Sequence, residues 1–173
     1  MKLDALTFPL HGSRLIEASA GTGKTWTIAA LYLRLVLGHG GADGFTRPLL
    51  PSEILVMTFT RAATRELSNR VRERLVEAAA YFRGERELED PFLASLAEAC
   101  DADGGRQLAA HRLVLAAETM DEAAIFTIDA WCQRMLREHA FDSGSLFDEE
   151  LVSDEHALFE DAAHDYWRQN VYP

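Results

Sequence analysis

Cysteine is nearly missing from this sequence: 173 residues hold only Cys100 and Cys132, far apart and in no CxxC pair. That excludes a disulfide framework and a cysteine zinc site, and it reads as a pair of reduced cytosolic thiols. No uncharged apolar run approaches the roughly 18 residues of a membrane-spanning helix. The opening MKLDALTFPLHG lacks the continuous apolar core of a signal peptide, because Asp4 and Pro9 interrupt it. Internal repeats and low-complexity tracts are absent. Positive charge is also scarce. Seventeen Lys and Arg face 28 Asp and Glu, for a net charge of −11. As a single number, that argues against a nucleic-acid partner.

The distribution of charge says more than its total. Residues 1–74 carry +4, residues 75–115 carry −4 and residues 116–173 carry −11. A basic front on an acidic chain suggests one face for an anionic ligand and another turned away; solvated helix faces with no partner are the bland alternative. Apolar residues make up 48% of the chain and charged ones 26%, the composition of an ordinary globular domain. A chain of this length can bury roughly 70% of its unfolded surface.

Periodicity alternates strand and helix. Arg14–Ala18 reads as a short strand, and Lys24–Leu37 as an apolar helix stopped by Gly38. EILVMTF (Glu53–Phe59) reads as a strand buried on both faces, the kind found in parallel sheets. A long helix follows from Arg61 to Phe82. Its stripe is Leu67, Val71, Leu75, Ala78 and Phe82, with Arg61, Arg65 and Arg72 opposite and Glu66–Arg70 as an i,i+4 pair.

Helical patterns recur at Phe92–Cys100 and Arg106–Ala117. AAIFTI (Ala123–Ile128) is a further strand, and Asp129 opens a helix to about His139 in which Trp131 and Met135 face the core. The last helix, Asp154–Asn170, aligns Leu158, Ala162 and Tyr166, with Ser153 as its N-cap. Strand–loop–helix units in series imply an α/β, three-layer parallel sheet. Three strands are few for such a sheet, so the expectation is an incomplete domain belonging to a larger protein.

Residues 18–25 read Ala-Ser-Ala-Gly-Thr-Gly-Lys-Thr. This meets the P-loop template at Gly23, Lys24 and Thr25, with Ala18 in the first position, where a negative φ makes glycine unnecessary. Gly21 and Gly23 can take φ > 0, which turns successive N–H groups inward as a nest for phosphate oxygens. Ser19, Ala20 and Thr22 complete the loop. Lys24 would reach the terminal phosphates, and the Thr25 hydroxyl would join the shell of a Mg²⁺ ion that arrives with ATP. These two residues carry the catalytic assignment.

Hydrolysis needs a further carboxylate at the C-terminal end of a neighbouring strand. Asp121 and Glu122 precede their strand and sit at the wrong edge. Asp129 follows it, but is placed equally well to cap the helix at Ala130.

ILVMTFTRAATREL (Ile54–Leu67) and FTIDAWCQRML (Phe126–Leu136) each join an apolar strand ending in threonine to a helix. Together with ASAGTGKT, these stretches resemble motifs I, Ia and Ib of the UvrD-like superfamily 1 DNA helicases, and within them the RecB-type helicase–nuclease subunits. The resemblance runs from about Phe8 to Pro173.

It implies a RecA-like P-loop NTPase fold. Residues 1–140 would be part of motor domain 1A, with a helical excursion at about 83–120. Residues 141–173 would begin the inserted helical 1B region. Thr58, Phe59, Thr60, Arg61 and Thr127 would contact single-stranded DNA, with Phe59 stacking on a base. The same residues also have plain readings: Phe59 as core, Thr60 as an N-cap, the arginines as a solvated face. His11 stands where the family has a glutamine that reads adenine, and Asp129 where it has a histidine.

The resemblance further implies a cytoplasmic, ATP-dependent helicase and exonuclease parent acting in double-strand break repair and recombination. RecC- and RecD-like subunits would be its partners. The 173 residues alone are expected to bind nucleotide with little turnover. A small P-loop kinase and a non-catalytic nucleotide-gated DNA-binding module are the rival readings.

Overall fold

The computed structural model describes residues 3–19, 21–102, 105–144 and 154–171. Contacts divide them into two units, Met1–Trp131 and Cys132–Pro173.

In the first unit, helix α1 (Lys24–Leu37) follows a left-handed Gly23 and stops at Gly38. A short 3-10 turn at Pro51–Glu53 leads into β1 (Val56–Thr58). The turn is pinned by Glu53, whose carboxylate accepts from both ends of the Arg47 guanidinium at 2.7 and 2.8 Å and from the Leu50 N–H at 2.9 Å. Those donors hold the Glu53 pKa down to about 2.

Helix α2 (Arg61–Phe82) has the expected boundaries and the expected buried stripe, from Leu67 through Val71, Leu75 and Ala78 to Phe82. Helix α3 (Pro91–Ala102) begins at Asp90, which accepts from the Phe92 and Leu93 N–H groups while Pro91 takes the first helical position. Burial opposes ionisation of Asp90, but the hydrogen bonds from Arg74 and from these N–H groups outweigh it and keep its pKa low.

Helix α4 (Arg106–Glu118) lies mainly against α2 and also touches α1. Its inward side is Ala109, Ala110, Leu113, Ala116 and Ala117, four of them small enough to let the helices approach closely. A 3-10 turn at Thr119–Glu122 then enters β2 (Ile125–Thr127), and α5 (Ile128–Glu138) starts at once.

β1 and β2 pair in parallel, with Val56 beside Ile125 and Thr58 beside Thr127. This is the only sheet among the described residues.

Four expectations need correction. Arg14–Ala18 is not a strand, so two strands stand where three were expected. A strand needs a ladder partner; no described strand pairs with this segment, and Leu15 remains 84% exposed. Glu53–Phe59 is not buried on both faces: its strand has three residues, and Met57 and Phe59 face outward. Arg70 pairs with Glu73 at 3.2 Å rather than with Glu66. Helix α5 has no fully buried residue, so Trp131 and Met135 are half-buried instead of core.

The second unit holds the rest of α5, a short turn of helix α6 (Ala140–Ser143) and α7 (His156–Asn170). Helix α7 forms as expected, but Leu158 and Tyr166 are exposed. The expected cap Ser153 lies outside the described residues.

Leu75 is fully buried at the middle of the α2 stripe. Truncation to alanine is expected to lower unfolding free energy by about 2–5 kcal/mol, read from urea melts. The Glu53 carboxylate should titrate by NMR near the value set by Arg47. Its contribution to stability is present above the ordinary carboxylate pKa and is lost as pH falls through about 2. Arg47→Gln should return the midpoint toward 4.5, the value without these contacts; an unmoved midpoint would contradict the geometry.

Candidate nucleotide and nucleic-acid site

Two glycines of the loop before α1 are left-handed. Gly21 and Gly23 take φ of +77° and +86°, and a Cβ built on either would meet nothing within 4 Å. The left-handed backbone is therefore not forced by crowding, and the space beside both glycines is open. Ala18 has no positive φ, as its place in the template requires. The Thr22 hydroxyl donates to the Ser19 carbonyl at 2.8 Å and closes the turn. Ala20 lies outside the described residues.

Helix α1 starts with no side-chain cap on its N-cap residue and no acidic residue in its first turn. The N–H groups that a helix leaves unpaired at its start, with the positive end of its dipole, thus have no competing carboxylate from its first turn. Lys24 folds back over the loop, and its Nζ donates to the Ala18 and Ser19 carbonyls at 3.1 Å each. Thr25 is half-buried at the start of the helix. Among the described residues no group of three or more His, Cys, Asp or Glu could hold a metal ion.

The second cluster lies at the C-terminal ends of the paired strands. Thr58 and Thr127 are neighbours across the ladder. The Thr60 hydroxyl accepts from the Ala63 N–H at 3.1 Å and caps α2, and the Thr58 and Thr64 hydroxyls share a 2.6 Å hydrogen bond behind it. On the other strand, the Thr127 hydroxyl accepts from the Ala130 N–H at 3.2 Å. That cap belongs to Thr127 and not to Asp129, which stands exposed in the first turn, where the helix dipole favours a carboxylate.

Phe59, next to Thr60 in the chain, is 87% exposed, so its reading as a core residue fails. Arg61 and Arg65 are exposed and make no ion pair among the described residues. Arg72, by contrast, is committed to Asp121 at 2.5 Å. The basic edge is therefore shorter than the sequence suggests, running from Phe59 to Arg65. Asp121 and Glu122 sit in the turn that enters β2, at the strand end opposite the threonines.

His11 is not brought into contact with the loop. Its Nε2 lies 3.6 Å from Asp43 Oδ1, and the adjacent Leu10 N–H donates to the Asp43 carbonyl at 2.7 Å. Arg34, the buried residue that holds this region, escaped sequence reasoning because it sits inside an otherwise apolar helical run, where an arginine reads as a surface position. Its one signal was that placement, flanked by Leu33 and Leu35.

Residues 2–171 match the UvrD/REP helicase N-terminal domain. RecBCD enzyme subunit RecB of Escherichia coli (strain K12) is 52% identical over 171 residues, which is 99% of this chain and 14% of that protein. The subunit of the same name from Haemophilus influenzae (strain ATCC 51907 / DSM 11121 / KW20 / Rd) is 46% identical over 178 residues, with the same shares. That from Mycobacterium tuberculosis (strain CDC 1551 / Oshkosh) is 33% identical over 123 residues, 71% of this chain and 10% of that protein. The chain thus spans about 14% of the length of the first two.

Removing the α2 cap by Thr60→Ala should lower stability by about 1 kcal/mol, and Thr60→Ser should restore most of it. Amide exchange at Ala63 reports the cap directly; an unchanged Ala63 rate in the alanine variant would show that the hydroxyl does not bond there.

Proposed function

The chain belongs to the UvrD/REP helicase N-terminal domain family, with strong homology to RecB subunits, and on that premise we propose that it is the ATP-binding portion of a RecB-type, ATP-dependent DNA helicase and exonuclease subunit. The observation that carries this reading is the uncapped start of α1 facing an open loop whose two glycines are left-handed. The parent protein acts in double-strand break repair and recombination, in the cytoplasm, assembled with RecC- and RecD-like subunits. Support for the partners is the relatives' printed name, RecBCD enzyme subunit.

The loop N–H groups and the α1 dipole bind the phosphates, and Lys24 exchanges its two carbonyl partners for phosphate oxygens. Magnesium, when bound with the nucleotide, neutralises developing phosphate charge; Thr25 orients it. The single strand passes over the edge formed by Thr58, Phe59, Thr60, Arg61 and Thr127. Hydroxyls and helix N-termini meet phosphate there, and the exposed Phe59 ring offers a base a stacking face. His11 reads the base of the nucleotide. Asp121 is at the far end of the strands and tied to Arg72, while Asp129 follows β2 at the threonine end and stands exposed. The 173 residues, which span about 14% of the length of the RecB relatives, alone bind nucleotide with little or no turnover, and residues 1–140 and 141–173 correspond to parts of the motor and of its helical insertion.

The test incubates the protein with labelled ATP and Mg²⁺, with and without single-stranded DNA, counting bound nucleotide and released phosphate together. Lys24→Ala should weaken ATP binding by about tenfold or more, the worth of a hydrogen bond to a charged group, with an unchanged melting temperature. Phe59→Ala should weaken DNA binding by about tenfold and leave ATP binding intact. ATP binding indifferent to Lys24 would overturn the nucleotide reading. DNA binding indifferent to Phe59 and to charge reversal at Arg61 and Arg65 would overturn the proposed DNA edge.

A further inference from the structure

Arg34 is fully buried on α1, and it has no carboxylate in direct contact. Its Nη1 donates to the Ala5 carbonyl at 2.9 Å and to the Phe8 carbonyl at 2.6 Å, and its Nε reaches His39 Nδ1 at 3.2 Å. Its Nη2 is buried and finds no partner among the described residues. Asp4 and Asp43 act on it only through their charge, while burial works against the cation.

Burying a guanidinium carries a desolvation cost that an apolar side chain of similar volume would not. What an apolar side chain cannot do is fix two backbone carbonyls of another segment at set positions. The fold makes room for this at Gly40, where φ is +126° and a Cβ would lie 2.6 Å from Nη2.

The segment so held leads straight to His11. Ala5 and Phe8 are fastened to Arg34, Leu10 is fastened to Asp43, and His11 comes next. The same segment forms one wall of a cavity of about 730 Å³, through Leu3, Phe8 and Pro9. The opposite wall is Leu15, Ile16 and Glu17, which runs directly into the phosphate loop at Ala18. No strand pairing holds residues 14–18. The position of the base-reading end relative to the phosphate end therefore depends on the clamp on α1, the helix that also starts the phosphate site.

We propose that Arg34 is a positioning residue for the base end of the nucleotide site, acting through the Ala5–Phe8 backbone on His11. This rests on the nucleotide reading above. The discriminating comparison is between Mg·ATP and Mg·tripolyphosphate, which shares the phosphates and lacks the base. Binding of each is measured to the protein and to Arg34→Met, Arg34→Lys, Gly40→Ala and His11→Ala, with thermal melts alongside.

Arg34→Met should lower the melting temperature, because it strips the Ala5 and Phe8 carbonyls of their donor, and should weaken ATP severalfold to about tenfold while leaving tripolyphosphate within about twofold. His11→Ala should do the same to the two ligands, and the double variant should lose no more than either single one. Gly40→Ala provides a second route to the guanidinium should Arg34 variants fail to fold. Equal weakening of both ligands would make Arg34 a core support only, and independent, additive losses at Arg34 and His11 would overturn the coupling. If the unaltered protein bound tripolyphosphate as tightly as ATP, the base end would be unread and this inference would fall while the phosphate loop stood. Failure to bind either ligand would instead remove the nucleotide reading itself.

Discussion

Five side chains on one helix face carry the structure. Leu67, Val71, Leu75, Ala78 and Phe82 recur at three- and four-residue spacing along α2, and every one of them is buried. Helix α2 alone contacts α1, α3, α4 and both strands, so the elements find their places against this stripe. A 22-residue helix is about 33 Å long. One end is fixed in the core by Phe82 and the other is capped by Thr60, beside the exposed threonine edge. Packing at one end of the helix thus sets the position of the threonine edge at the other. The short sheet, with three residues in each strand, could not do so alone.

The parts legible in the sequence were those whose cause is local. Apolar spacing gave α2 its limits, and Thr60 had the residue type and place of a cap. The pattern of the loop from Ala18 to Thr25 dictated left-handed glycines, and Gly21 and Gly23 adopt them. What was not legible depended on partners far along the chain. Leu15 and Ile16 have strand-forming side chains but no ladder to join, so no strand forms. Met57 and Phe59 read as interior because apolar runs cannot say whether the second face of a sheet is covered. Leu158 and Tyr166 on α7 are aligned as a core stripe and yet face outward, for the same reason. Arg34 was hidden differently: only the location of the Ala5 and Phe8 carbonyls reveals that a charge belongs in the interior.

The acidic balance of the chain is reconciled by where its charges are spent. Arg70, Arg72 and Arg74 on α2 are each paired with a carboxylate, of Glu73, Asp121 and Asp90 respectively. The pairs of Arg72 and Arg74 join α2 to the turn before β2 and to the start of α3, and the Arg74–Asp90 pair is largely withdrawn from solvent. Arg61 and Arg65, in the first turns of the same helix, stay exposed beside Phe59. One helix therefore divides its arginines between paired and exposed ones, and the division falls between its second and third turns.

The two helix starts at the threonine edge have an electrostatic consequence. Both α2 and α5 start at the C-terminal ends of the paired strands, each capped by a threonine, with the exposed Phe59 ring next to Thr60 in the chain. On the reading proposed above, Thr58, Thr60, Thr127 and Phe59 would offer a polyanion hydroxyls, helix dipoles and a ring face, and Arg61 and Arg65 would add two full charges. Only those two would release counterions, so binding at this edge would answer to salt with a shallow slope.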